Sequence, residues 1–291
     1  MLEPSILLPA TINGLTMGAV YALIALGLTL IYGVLHIINF AHGSLLMVAL
    51  YGVFFLYKLL GVDPYAAMVV LVPAGFAAGY ALQRSVIGAI KPGRAQNVLL
   101  ITLGVSIVLD NLAVYFFSGD TQTIDTPYSL DMVNLGVALV SLPRLIGLVA
   151  ALVFTAGLWL LISSTDLGRA IRAVAKEPHG ARLVGIDVHH IFAMSFGIGT
   201  ACVGAAACLL LPMFYVSPHV GQVFVLIAFT VVVLGGMGSF TGALIGGLLI
   251  GVTESLGGLM FGESAGQLAI FLIFIAVLLF RPTGLFGSRL S

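Results

Sequence analysis

An all-α fold is predicted: a polytopic membrane protein whose residues 1–291 form one domain of about eight transmembrane helices, some of them interrupted. Three observations carry this expectation. Hydrophobic residues make up 60% of the chain and charged residues only 8%, against about 25% charged in soluble domains. The apolar runs are continuous and long enough to cross a bilayer, without the alternation that barrel strands require. One densely charged stretch, residues 164–190, separates two such runs; a charge at a helix centre costs roughly 2.5–3.5 kcal/mol, so this stretch is a loop in water.

The first span covers about residues 9–32 and carries Gly14 and Gly18 at the four-residue spacing that lets membrane helices pack closely. Met1–Ala10 lacks the basic stretch and cleavage site of a removable leader, so this span is expected to act as its own signal. An uncharged polar stretch follows, GVLHIINFAHGS at 33–44, and then an apolar run, 45–60. Spans at about 65–87, with Gly75 and Gly79 again four apart, and at about 98–117 come next. Residues 118–143 form a polar connection holding Asp120, Asp125 and Asp131 but no Lys or Arg. Arg144 opens a span that runs to Ile162. Beyond the charged loop lie a span at about 191–211 and a short run at 223–234. The glycine-rich break GGMGSFTG at 235–242 precedes a run to about Gly258, and a last span covers about 267–280. Cys202 and Cys208, six apart in one apolar run, face different ways on a helix and define no disulfide or metal site.

Charge orients the bundle. Arg84, Lys91 and Arg94 share one connection, Arg169, Arg172, Lys176 and Arg182 another, and Arg281 and Arg289 the tail. The opposite side then holds only Lys58 and Arg144 against Glu3, Asp63, Asp120, Asp125, Asp131 and Glu263. The positive-inside bias therefore places the N-terminus outside and the C-terminus in the cytoplasm, which wants an odd number of crossings, or eight spans of which one interrupted run dips in and returns. A net charge of zero argues against a nucleic-acid partner.

Within the charged loop, Leu167, Ile171 and Val174 fall on one helical face and Arg169, Arg172 and Lys176 on another. Pro178 ends this helix and suits the first position of a second, running to about Val184 with Gly185 as its stop. A short helix along the membrane face is a shape on which another protein can dock.

Two stretches read as broken helices: 39–44, with Asn39, Phe40, His42, Gly43 and Ser44, and 234–242, with Gly235, Gly236, Gly238 and Ser239. Unwound backbone at membrane depth is tolerated where it lines a cavity or is buried in protein, and paired breaks point to a transport path. Their uncharged hydrogen-bonding groups suit a neutral or zwitterionic solute. The glycine ladder from Gly242 to Gly251 reads instead as a helix contact. Asp110 and Glu254, acids in or near apolar runs, are the residues a stand-alone ion-coupled transporter would use. His36 and His42 have no nearby Cys, Asp or Glu, so no metal site is expected. No G-x-x-x-x-G-K-[ST] or H-E-x-x-H occurs, so no catalytic residues are expected and the chain is not read as an enzyme.

Three blocks in order, INGLTMGAVYALIALGLTLIYGVLHIINFAHGSLLMVALY (12–51), GRAIRAVAKEPHGARLVGID (168–187) and AFTVVVLGGMGSFTGALIGGLLIG (228–251), resemble the shorter, H-type permeases of branched-chain amino acid ABC importers. That family is similar in plan to the ribose-type permeases. The resemblance implies a multi-pass place in a bacterial inner membrane. It also implies a heterodimer with a second, longer permease, two cytoplasmic ATPase subunits that use ATP and Mg, and a periplasmic substrate-binding protein, with no cofactor bound by this chain. It makes 168–187 the ATPase-coupling element, with Arg169, Arg172, Lys176, Glu177, Pro178, Ala181, Arg182 and Gly185 its expected residues. It also places Asn39, Phe40, Ala41, His42 and Gly43, with Gly235, Gly236, Gly238 and Ser239, in the two membrane blocks expected to flank the path. The EAA loop of other importers is matched only loosely. Urea, short-chain amides and other small acids, some of them aromatic, are alternative cargoes in the same family, and the absence of the long N-terminal extension of urea-type permeases favours amino acids.

Overall fold

The computed structural model describes residues 4–89, 95–134, 136, 139–281 and 283–287. Lys91, Arg94, Arg289 and Glu3, used above to count charge, lie outside them. The described residues form α1 (Pro4–Leu35), α2 (Ala41–Leu60), α3 (Met68–Leu82), α4 (Ala95–Phe117), α5 (Leu142–Ser164), α6 (Asp166–Lys176), α7 (Pro178–Leu183), α8 (Val188–Leu210), α9 (Val220–Gly235), α10 (Phe240–Phe261) and α11 (Glu263–Phe280). Seven spans, formed by α1, α2, α3 with its π-helical continuation to Ile87, α4, α5, α8 and α10, are long and apolar enough to cross a membrane, while α9 and α11 are apolar but shorter. The helical polytopic class read from composition is what the chain adopts.

Lipid tails are as apolar as leucine, so helix association in a membrane depends on close van der Waals approach and on hydrogen bonds. The small residues supply the approach. Gly14 and Gly18 of α1 pack on Gly251 and Gly247 of α10, where any added Cβ would overlap the facing backbone. Ser255 continues this antiparallel seam by donating to the Ala10 carbonyl at 2.7 Å. Gly75 and Gly79 of α3 play the same part against α8, where the Thr200 hydroxyl donates to the Gly75 carbonyl at 2.8 Å. Helices α1 and α8 are in consequence the most enclosed spans; Leu23, Ile24, Leu26 and Leu209 sit in the main core, and Phe196 packs with Ile31 and Ile87 in a smaller cluster.

The polar connection 118–141 is more ordered than its composition foretells. Strands β1 (Met132–Asn134) and β2 (Leu139–Ser141) form an antiparallel hairpin, with Met132 opposite Ser141. Asp63, after α2, anchors this region: its carboxylate accepts from the Tyr128 hydroxyl at 2.7 Å and from the Tyr65 N–H at 2.8 Å. That acidic neighbour and burial together push both tyrosine hydroxyls well above their ordinary range, burial being the larger cause.

Candidate translocation site

The break at 36–40 carries the chain back into the bundle. His36 adopts a left-handed conformation (φ +54°) and reverses direction after α1. Residues 37–39 run without regular structure, and α2 begins at Ala41, four residues before the start read from the apolar run. Two independent rulers fix the depth of that start. The His42 ring Nε2 lies 3.0 Å from the Ile24 carbonyl, eleven residues before the end of α1, which is about 16 Å of helix. Ser44 shares a 2.7 Å hydrogen bond with Ser106, the midpoint of α4. Helix α2 therefore starts halfway through the bundle.

Helix α9 starts at the same depth and runs the opposite way. Gly43 and Gly221 touch backbone to backbone, and a Cβ on either would overlap the other's carbonyl. Phe40 and Phe229 pair at 5.7 Å further along. The positive ends of two helix dipoles thus converge at mid-depth.

The third wall is a stripe on α4 at i, i+4, i+8: Thr102, Ser106 and Asp110. The Phe40 N–H donates to the Thr102 hydroxyl at 3.3 Å, and Gln222, in the first turn of α9, donates to Asp110 Oδ2 at 3.4 Å. Asp110 is 8% exposed, and Asn39 and His42 are fully buried. Asn39 Oδ1 accepts from the Ala41 N–H at 3.1 Å. Asn39 Nδ2, His42 Nδ1 and Asp110 Oδ1, however, find no partner among the described residues. Unpaired buried polar groups are rare; the His42 ring is turned toward α1, beside Gly27, whereas Asn39 Nδ2 and Asp110 Oδ1 mark the junction as a place built to meet something else. Thr102, Ser106 and Gln222 were not singled out in the sequence, although the four-residue repeat of Thr102 and Ser106 with Asp110 was visible there.

The second break lies elsewhere. Gly235 ends α9, Gly236 (φ +99°) and Gly238 (φ +87°) turn the chain, and Ser239 caps α10 by accepting from the Gly242 N–H at 3.1 Å. Gly238 lies against Gly33 near the end of α1. The chain's last described residues cover the turn: Leu285 and Phe286 donate to the carbonyls of Leu234 and Gly235 at 2.8 and 3.1 Å. Asn39–Ser44 and Gly235–Ser239 therefore do not meet; they sit at opposite ends of α9.

The charged loop folds as two helices, α6 and α7. Thr165 caps α6 through the Gly168 N–H at 3.0 Å, Glu177 caps α7 through the His179 N–H at 3.1 Å, and Pro178 opens α7. Gly185 (φ +87°) follows α7, and Asp187 caps α8. The His190 N–H donating to Asp187 holds that carboxyl below its usual range. Ile171, Val174 and Ala181 are buried against the bundle, and Gly168 sits so close to the Ile162 carbonyl that no side chain fits. Arg172 turns back onto the carbonyls of Ile162 and Ser163, and Arg169 pairs with Asp166. Arg172 thus ties the loop to the end of α5, whereas the Arg169–Asp166 pair lies within α6. The solvent-facing surface includes Lys176, Glu177, Arg182 and Gly185 around Leu183 and Val184, which are 79% and 77% exposed.

A bundle of membrane helices with a half-span start at its centre and a docked amphipathic elbow at one end is a transport permease, not an enzyme. The model of the branched-chain amino acid transport system / permease component family matches residues 10–280, and the chain belongs to that family. It is 36% identical to the high-affinity branched-chain amino acid transport system permease protein BraD of Pseudomonas aeruginosa, over 95% of this chain and 94% of the relative. It is 33% identical to the corresponding LivH protein of Escherichia coli K12, over 94% of each chain. A probable LivH of Methanocaldococcus jannaschii is 31% identical over 91% of this chain and 88% of its own length. No solved structure matches. The chain is thus a permease component of a transport system.

Proposed function

We propose that this chain forms half of an ATP-driven import path for branched-chain amino acids, in a heterodimer with a second, longer permease. The observation that carries the reading is the mid-depth junction of α2, α4 and α9. Two helix N-termini favour a carboxylate there, Asp110 offers a charge to an ammonium group, and Asn39 offers an uncharged hydrogen bond. The binding proteins and ATPases supply capture and energy; nothing at the junction calls for a cofactor. The elbow of α6 and α7 lies in the cytoplasm with the C-terminus, and the N-terminus lies outside, as the distribution of Lys and Arg requires. Leu183 and Val184, ringed by Lys176, Glu177 and Arg182, enter a groove on an ATPase subunit, and ATP-driven closure of the ATPases moves α5 and α8 through this lever.

The test is uptake of labelled leucine into proteoliposomes holding the complete complex. ATP-dependent uptake that survives an uncoupler supports the reading, and uptake that needs an ion gradient but no ATPase sinks it. Replacing Glu177 and Arg182 together by residues of opposite charge is expected to leave membrane insertion intact while ATP hydrolysis no longer drives uptake. Normal coupling in that variant would remove the elbow from the mechanism.

A further inference from the structure

A cavity of about 410 Å³ lies between α1, α5, α9, α10 and the start of α11, on the side of the bundle away from the elbow. We infer that it is an antechamber that binds the α-amino acid zwitterion before it reaches the mid-depth junction, a reading that rests on the function proposed above. Its volume falls within the roughly 300–1,000 Å³ of small-molecule sites.

Two opposite charges face this space. Arg144 enters from the first turn of α5 and Glu254 from α10. They do not pair with each other: among the described residues the one ion pair within 4.0 Å joins Arg169 and Asp166. A guanidinium and a carboxylate that share a cavity without touching suit the carboxylate and ammonium of one molecule, and a guanidinium binds a carboxylate through two parallel hydrogen bonds. Ionisable groups inside a membrane span are costly and are retained where they meet a pathway. Asn13 and Gln267 add neutral polar groups to the lining, while Met17, Phe214 and Phe224 give an apolar side chain a surface to lie on.

The floor of the cavity links it to the junction. Tyr21 meets Phe224 edge-on at 6.1 Å, and Phe214 meets Phe224 at 5.4 Å. Tyr21 is one turn from Ile24, whose carbonyl meets His42, and Phe224 is one turn from Gly221, which touches Gly43. An aromatic floor of this kind separates the antechamber from the deeper site by a single helical turn.

The experiment uses the complete complex in proteoliposomes and in nanodiscs. Glu254→Gln and Arg144→Gln are each expected to assemble and to lower ATP-driven leucine uptake by at least about tenfold, the scale of one lost charge-assisted contact. Cys202 and Cys208 are buried, so a Val223→Cys variant gives a water-soluble thiol reagent one accessible target in this chain's cavity. Saturating leucine is expected to slow that labelling several-fold in the nanodisc complex. Wild-type uptake by both glutamine variants overturns the antechamber. If the glutamine variants do not assemble, the labelling decides: protection by leucine upholds the site, and labelling unchanged by leucine overturns it. A wild-type complex that takes up no leucine with ATP would instead overturn the importer reading itself.

Discussion

The two interrupted segments look alike in sequence and behave differently in the fold. Both combine glycine with small polar residues between apolar runs. At Gly235–Ser239 every device closes on itself: Ser239 caps α10, and the backbone carbonyls before the turn accept from Leu285 and Phe286. At Asn39–Ser44 the chain is carried to mid-depth and leaves the Asn39 amide and the His42 ring, the latter turned toward α1, with unpaired atoms, while Asp110 of the neighbouring α4 is also half-satisfied. The contrast teaches that a break in a membrane helix points to a path when its hydrogen-bonding capacity is left open at depth. Where that capacity is consumed by caps and tail contacts, the break is a turn.

Three substitutions test that contrast. Gly43→Val has the largest expected effect, because any Cβ overlaps the Gly221 carbonyl; overpacking of this kind costs about 1–3 kcal/mol or more, and uptake should be abolished with a lower thermal midpoint in detergent. A variant that transports normally would break the claim that α2 and α9 meet there. Asp110→Asn keeps the shape and a partner for Gln222 but removes the charge. Leucine uptake should fall by about tenfold or more, equivalent to about 1.4 kcal/mol, with thermal stability little changed. Ser239→Ala should do the reverse, costing about 1 kcal/mol of stability through the lost cap while uptake stays near the wild-type rate. Should Ser239→Ala instead abolish uptake in a stable protein, the second break belongs to the path after all.

Much of the architecture was legible because membrane physics writes it locally. Span lengths, the glycine pairs at 14 and 18 and at 75 and 79, and the two-helix elbow with Pro178 at its second start all follow from spacing that neighbouring residues fix. The depth of α2 was not legible. An apolar run read from Leu45 omits Ala41–Ser44, whose helical start depends on a carbonyl of α1 and a serine of α4 that lie far away in sequence. Thr102 and Ser106 are unremarkable one at a time and acquire meaning only when α2 packs on them. Arg172 shared a face with Arg169 and Lys176 in the periodicity, yet its long side chain reaches the end of α5, a choice set by how the elbow docks. The β1–β2 hairpin was read only as polar connection, since its few residues carry no strong strand pattern.

Because Leu285 and Phe286 are stitched to the last carbonyls of α9, the tail travels with that helix. A fluorophore attached at Thr283 would therefore act as a remote gauge of α9's excursions, read from the aqueous side while the solute route stays chemically untouched.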